Sequence, residues 1–309
     1  MVHKEKNKNY IPFIFYSICL VLVIVLCIYF LGRDTFAIFS KREVDESKEM
    51  KIHMLNVGQG DATFIEFPDG MQILIDVGRD RSVVESLSEV MRFNNRFIDM
   101  VILTHPDADH VGGLSDLVAF YDIGMIIDRV DDSQDFDSRD VYEKAIGESG
   151  AVHIELHDNA IEMNLGDGSQ MYFFPNIINA YDYDDLIDDR NEYSVMGKIT
   201  YRDTSFLWVG DMSHIGERLL VELYRDDPSM LDTDILQIGH HGSKTSSSEL
   251  FLRATTPKLG LISAGADNNY GHPYKGVLER LYRLGIPHVC TCTDGAVTLA
   301  SDGEDWWIE

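Results

Sequence analysis

The apolar run MVIL, residues 100–103, leads straight into THPDADHVGG, which places His105, Asp107, Asp109 and His110 within six consecutive positions. Two carboxylates this close resist ionisation unless something positive sits between them. Capping a helix would need one aspartate and none of the other three. Imidazole nitrogen and carboxylate oxygen suit zinc or manganese, so one or two divalent ions, Zn²⁺ or Mn²⁺, account for the whole set. The chain must therefore fold so that a buried strand ends at a ligand-binding sheet edge, with Gly112 and Gly113 letting the backbone turn closely behind it.

Further donors stand at other strand ends. Asp211 closes FLWVGD, His240 and His241 close DILQIGHH, His272 follows LGLISAG within NNYGHP, and Asp76 ends QILIDVG. Taken singly, Asp211 reads as a helix cap and one histidine of the pair as a satisfied core residue. Taken together, strand termini that repeatedly carry Asp or His point to one shared site. His240 is the first residue past DILQIG and is expected as a ligand. Gly242 lets the chain turn, which aims His241 elsewhere as an acid/base. The loop carrying His272 can return to the same edge, where this residue is a candidate for either a ligand or a substrate contact. Lys244, Ser243 and the amides after Gly242 lie on the same turn and are expected to meet an anionic group.

The pattern around these motifs is two strand-rich halves. KIHMLNVG, DATFIEF and MQILIDVG are short strands, with Pro68-Asp69-Gly70 as a turn. A helix over DRSVVESLSEVMRF, the strand DMVILTH, the helix GGLSDLVAFYD and the strand GMIIDRV follow. The second half repeats the scheme with AIEMNL, MYFFP, SVMGKITYR and TSFLWVGD. It continues with the helix SHIGERLLVELYR, the strand DILQIGHHGS, a helix from SSSELFLRA and the strand KLGLISAG. This pattern predicts an α/β protein of two face-to-face sheets with helices outside, an αβ/βα four-layer sandwich. The acidic runs DDSQDFDSRD and YDYDDLIDDRNEY read as solvated loops. Cys290 and Cys292 in VCTCT alternate like neighbours on one strand face and read as packed thiols, because no partner cysteine pair exists.

Residues 11–32 carry no charged side chain over 22 positions and are long enough to cross a bilayer as a helix. Lys4, Lys6 and Lys8 precede them, which favours a cytoplasmic N-terminus. The expected organisation is a cytoplasmic segment 1–10, a transmembrane anchor 11–32, with a signal segment as the rival reading of the same residues, a linker 33–49 and a folded domain 50–309. That domain of a single-pass cell-membrane protein would be extracytoplasmic. The net charge of -26 disfavours a long polyanion-binding groove, so any nucleic acid must be handled locally.

MLNVGQGDATFIEFPDGMQILIDVG, LTHPDADHVGGL, FLWVGD, QIGHHGSKTSSS and NNYGHP, in this order, resemble the metallo-β-lactamase-fold hydrolases, and within them the soluble hydrolase domain of the ComEC competence proteins. The resemblance implies a one- or two-metal site that cleaves phosphodiester or related bonds by a metal-bound hydroxide. By family pattern His105, Asp107, Asp109, His110 and Asp211 are metal ligands, with Asp211 able to bridge. Asp109 is also expected in the catalytic set with His241 and Lys244. Ser243, Asn191 and Asp61 are expected to contact substrate. Two positions depart from the family. Asp107 stands where the broader superfamily has His, and Asn191, a poor zinc ligand, stands where a histidine often precedes the bridging aspartate, which allows single-metal occupancy. The substrate implied is single-stranded DNA, or alternatively a cell-wall phosphodiester of the phosphorylcholine type; a binding protein on the same fold is the non-enzymatic reading. No stable protein partner is evident.

Overall fold

The computed structural model describes residues 48–130, 136, 139–180 and 190–309. The expected membrane span, most of the linker and most of both acidic runs lie outside the described residues. Among the described residues no helix is long and apolar enough to cross a membrane.

Among the described residues fifteen strands form two sheets. In chain order they are β1 (Met50–Met54), β2 (Thr63–Glu66), β3 (Gln72–Ile75), β4 (Phe97–Ile102), β5 (Asp122–Asp128), β6 (Val152–Glu155), β7 (Ile161–Gly166), β8 (Ser169–Phe173), β9 (Gly197–Tyr201), β10 (Thr204–Trp208), β11 (Ile235–Gln237), β12 (Leu259–Ile262), β13 (His288–Cys290), β14 (Val297–Ser301) and β15 (Trp306–Ile308). One sheet has the order β15-β14-β1-β2-β3-β4-β5-β6, the other β13-β12-β11-β10-β9-β8-β7. From β3 to β6 and from β10 to β13 the pairings are parallel, so within each run all C-terminal ends share one edge.

The central strands read as continuous apolar runs because both faces are covered. Along β3, Ile73 and Ile75 enter the layer between the sheets while Leu74 faces the outer helices. Val101 and Leu207 likewise point outward, with Met100, Ile102, Phe206 and Trp208 inward. Helices Ser82–Val90, Leu114–Phe120 and Arg139–Ser149 cover the first sheet through Val83, Leu87, Leu117 and Tyr142. Helices His214–Leu223, Glu249–Thr255 and Lys275–Leu284 cover the second through Leu220, Phe251 and Leu281. The layering is the expected αβ/βα sandwich.

Some segments differ from the sequence reading. The helix Arg139–Ser149, the edge strands β6 and β15, and β14 beside β15 have short or weak patterns and were not expected. The expected pair of free thiols is corrected as well. The chain leaves β13 at Cys290 and turns into the short helix Thr291–Asp294, so Cys290 and Cys292 approach to a Cα separation of 5.1 Å and are joined as a disulfide. Alternation along a strand had assumed that β13 continued.

Trp208 is fully buried between the sheets and donates its indole N–H to Val195 O at 3.0 Å. Its ring lies over Gly197 on the neighbouring strand, where an added Cβ would fall inside the indole. Gly197→Ala is therefore expected to destabilise the fold by about 1–3 kcal/mol through overpacking, measured as a lower denaturation midpoint. An unchanged midpoint would contradict this packing.

Candidate metal centre

The sheet edges bring the strand-end donors together. Asp76 follows β3 in a left-handed conformation, φ 58°, with its N–H on Ile102 O of the next strand at 2.8 Å. Thr104 and His105 follow β4. Asp107 then starts the one-turn helix Ala108–Val111, which carries Asp109 and His110. The Asp107 side chain makes no capping bond there, so its carboxylate is left for another role. Gly112 and Gly113 allow the close turn: a Cβ on either would strike the carbonyls of the 77–80 segment. Opposite, Gly210 (φ 53°) presents Asp211 after β10, and His240 and His241 follow β11.

Three imidazoles are fixed through their Nδ1 atoms. His110 Nδ1 donates to Asp76 Oδ2 at 2.8 Å. The Thr104 hydroxyl donates to the same oxygen at 2.8 Å, and its N–H to Asp76 Oδ1 at 2.8 Å. With that hydrogen committed, Thr104 Oγ1 accepts from His105 Nδ1 at 3.0 Å. His241 Nδ1 donates to Ser263 O at 2.9 Å. Anchoring one ring nitrogen this way orients the other for a metal. The Nε2 atoms of His105, His110 and His241 are all buried without a hydrogen-bond partner, as is Asp211 Oδ1. Buried polar atoms left unpaired together call for a ligand.

The spacing fits one. Tetrahedral donors about 2.0–2.1 Å from zinc lie about 3.3–3.4 Å from each other. His110 Nε2 is 3.3 Å from Asp211 Oδ1, and His241 Nε2 is 3.4 Å from Asp109 Oδ2 and 3.7 Å from Asp211 Oδ2. A second group is wider, with His105 Nε2 3.8 Å from both Asp107 Oδ2 and Asp211 Oδ2. Asp211 is common to both.

The charges are set by mutual pairing. Burial opposes a charge on His110, but Asp211 and Asp76 hold its pKa well above the ordinary imidazole value. Burial also opposes a charge on His241, and Asp211 and Asp61 raise it in the same way. Burial disfavours the Asp211 carboxylate, yet His110 and His241 hold it well below the usual range. For Asp109, burial is outweighed by its pairing with His241 and by the charge on His110. His105 is pushed well down by burial and by the charge on His110. Burial, then the charges on His241 and His240, push His272 down to about 4.

The late histidines have exchanged surroundings relative to the sequence expectation. His241, read as the acid/base, is the one buried against Asp109 and Asp211, and its side chain is 1% exposed. His240, read as the ligand, is 25% exposed, with Nε2 3.5 Å from Asp211 Oδ2. The reason is backbone conformation: His240 and His241 are themselves left-handed, φ 50° and 54°, so the turn begins before Gly242. His272 lies beside both, with ring centroids 5.7 Å from His240 and 6.0 Å from His241.

Three substrate-contact expectations meet different surroundings. Asp61 is 3% exposed behind His241 and accepts from Gln237 Nε2 at 2.6 Å, so burial removes it from the substrate side. Ser243 is buried, with its hydroxyl 3.0 Å from that of Thr245. Around the expected amide cradle after Gly242 the N–H groups of Thr245 and Ser246 bond Ser243, its hydroxyl and its carbonyl. Gly242 N–H bonds Gly239 O, Ser243 N–H bonds His240 O, and those of Ser247 and Ser248 bond the Glu217 carboxylate. Burial pushes Glu217 up to about 7 against those bonds. Asn191 is buried, and its carbonyl accepts from Ser194 N and Oγ at 3.1 and 2.7 Å. Ser194 Oγ in turn accepts from Asp211 N at 3.2 Å, which sets Asn191 behind the central aspartate. Lys244 is exposed, and among the described residues no ion pair ties it to the cluster. Sequence reasoning noticed Asp76 as a strand-end acid without giving it a role, and it missed Thr104 and Arg190; the short THPD spacing was the available signal for Thr104.

A profile of the Metallo-beta-lactamase superfamily matches residues 55–266. ComE operon protein 3 of Bacillus subtilis (strain 168) is 28% identical over 269 residues, covering 81% of this chain and 33% of its own length. Recombination protein 2 of Haemophilus influenzae is 28% identical over 253 residues, covering 80% of this chain and 28% of its own. The chain thus spans about a third of the length of these curated relatives. The crystal structure of CmlA, a diiron β-hydroxylase from Streptomyces venezuelae, superposes with a TM-score of 0.51 at 13% identity over 78% of this chain and 52% of that one, a likeness of fold.

Two outcomes are expected at this cluster. Asp76→Asn should weaken Zn²⁺ binding about 10–100-fold by releasing His110 and Thr104, measured by competition with a chelating dye; unchanged affinity would contradict the anchoring role. The raised His110 and His241 carry protons near pH 7 in the metal-free protein. Zn²⁺ binding should then release protons at pH 7, and its affinity should climb as pH rises. Calorimetry in two buffers of different ionisation enthalpy counts them, and no release at pH 7 would contradict the charge assignment.

Proposed function

The chain belongs to the metallo-β-lactamase superfamily, and on that footing we propose that it is a metal-dependent phosphoester hydrolase, acting on a phosphodiester such as single-stranded DNA. The reading extends to an extracytoplasmic domain anchored by residues 11–32. It is carried by one observation: the buried, unpaired Nε2 atoms of His105, His110 and His241 gather around the carboxylate of Asp211. Asp109, His110, Asp211 and His241 would hold a divalent ion, with His105 and Asp107 beside them. A bound dication supplies an acidified water for attack at neutral pH and stabilises charge on phosphoryl oxygens.

The remaining work falls to side chains on the open side of the cluster. His240 is partly exposed, with Nε2 3.5 Å from Asp211 Oδ2 at the open side of the cluster, which suits it to give a proton to the leaving oxygen. His272, held down to about 4, is neutral at pH 7 and acts there as a hydrogen-bonding group rather than a cation. Lys244, on the exposed loop after Gly242, is assigned to the phosphate of an incoming substrate. With a net charge of -26, binding to a polyanion is confined to the site itself, which favours a flexible single strand over a duplex.

The full chain, purified in detergent with Mn²⁺ or Zn²⁺, is expected to hydrolyse bis-p-nitrophenyl phosphate and single-stranded DNA. p-Nitrophenyl phosphorylcholine in parallel tests the cell-wall alternative. Asp109→Ala and Asp211→Ala should lose bound metal and about 100-fold or more of the rate, while Glu89→Ala, on the surface, keeps both. His241→Ala should lose metal; His240→Ala should keep it and lose kcat mainly on substrates with poor leaving groups. Metal-loaded protein inactive on all three substrates would end the phosphoesterase reading. Protease treatment of intact spheroplasts should remove the domain, and a protected chain would end the topological one.

A further inference from the structure

The two groups of donors around Asp211 are unequal, and one charged side chain outside both lies against the wider group. In the deeper group His110 and His241 stand 3.3 and 3.7 Å from Asp211, and His241 is 3.4 Å from Asp109. In the outer group His105 stands 3.8 Å from Asp107 and 3.8 Å from Asp211. Arg190 Nη2 lies 3.0 Å from Asp107 Oδ1. Asp107 Oδ1 is buried and has no aligned hydrogen bond, so the two meet as charges. A guanidinium at that distance already neutralises Asp107 and repels a dication seeking the same carboxylate.

The backbone around Arg190 keeps the arrangement in place. Residues 190–193 form a single 3-10 turn. The Asn191 carbonyl is bonded to Ser194, and the buried Glu192 carboxylate accepts from Gly216 N at 3.1 Å. Glu192 is thereby turned toward the helix His214–Leu223, away from the outer donors. What this turn extends to them is a cation.

We infer that Arg190 takes the place of a second metal ion: the protein holds one divalent cation tightly in the Asp109–His110–Asp211–His241 position, while Arg190 satisfies Asp107 and keeps the outer position weak. This rests on the reading of the cluster as a metal centre and deepens it. The site is asymmetric, with an ion on the deep side of Asp211 and a guanidinium on the outer side. Arg190 is a positioning residue whose charge substitutes for an ion.

The test is Mn²⁺ titration of the chelator-stripped full chain, followed by calorimetry and electron paramagnetic resonance. Wild type should bind one ion tightly and show an uncoupled Mn²⁺ spectrum at one equivalent, with no exchange-coupled pair on further addition. Arg190→Ala should raise the affinity for a second ion about tenfold or more and produce a coupled pair, whereas Arg190→Lys keeps the single-ion behaviour. Asp107→Asn should retain the tight ion, and its loss would overturn the assignment to the deeper position. Two ions of similar affinity in wild type, or unaltered second-ion affinity in Arg190→Ala, would overturn the role of Arg190. Wild type that binds no ion would overturn the metal centre as well, which separates the two failures.

Discussion

The site depends on a single buried carboxylate, that of Asp76, and on where it holds hydrogens. It takes the Nδ1 hydrogen of His110 directly and the hydroxyl hydrogen of Thr104, which in turn accepts from His105. Both imidazoles are thereby fixed with Nε2 facing Asp211. This arrangement requires β3 and β4 to be paired in register, Ile75 opposite Ile102, because Asp76 follows Ile75 directly and Thr104 stands two residues after Ile102. A slip of one residue would turn each donor to the other face of the sheet.

Charge around Asp211 is balanced before any ion arrives. Protonated His110 and His241 face ionised Asp211 and Asp109, so a buried group rich in charge is tolerable in the metal-free chain. A dication exchanges with protons instead of entering an unpaired nest of carboxylates. The protein also accepts strain here. His240 and His241 adopt left-handed conformations that cost about 1–3 kcal/mol each in non-glycine residues. The bonds from His240 N to Gly210 O and from Ser243 N to His240 O hold that turn shut. Glu217 secures the following loop from behind through Ser247 and Ser248, with Arg280 bonded to the Ser247 carbonyl on the other side. Lys244 is consequently carried on a loop that is fixed at both ends.

The sequence by itself determined the layered α/β fold and the edge at which its chemistry gathers. Both are local signals: apolar alternation marks each central strand, and Asp or His stands within three residues of the ends of β3, β4, β10 and β11. Only the tertiary structure decided which donors face one another. Adjacent residues such as His240 and His241 are alike in composition and spacing, and their backbone dihedrals, held by contacts with Gly210 and Ser263, separate them. Asp61 lies behind His241 and Arg190 beside Asp107 because segments far apart in the chain meet there. Cys290 and Cys292 pair because the chain leaves β13 at Cys290, before the strand could carry both cysteines on a common face. In each case a side chain's role follows from its neighbours across the fold, which spacing along one strand does not encode.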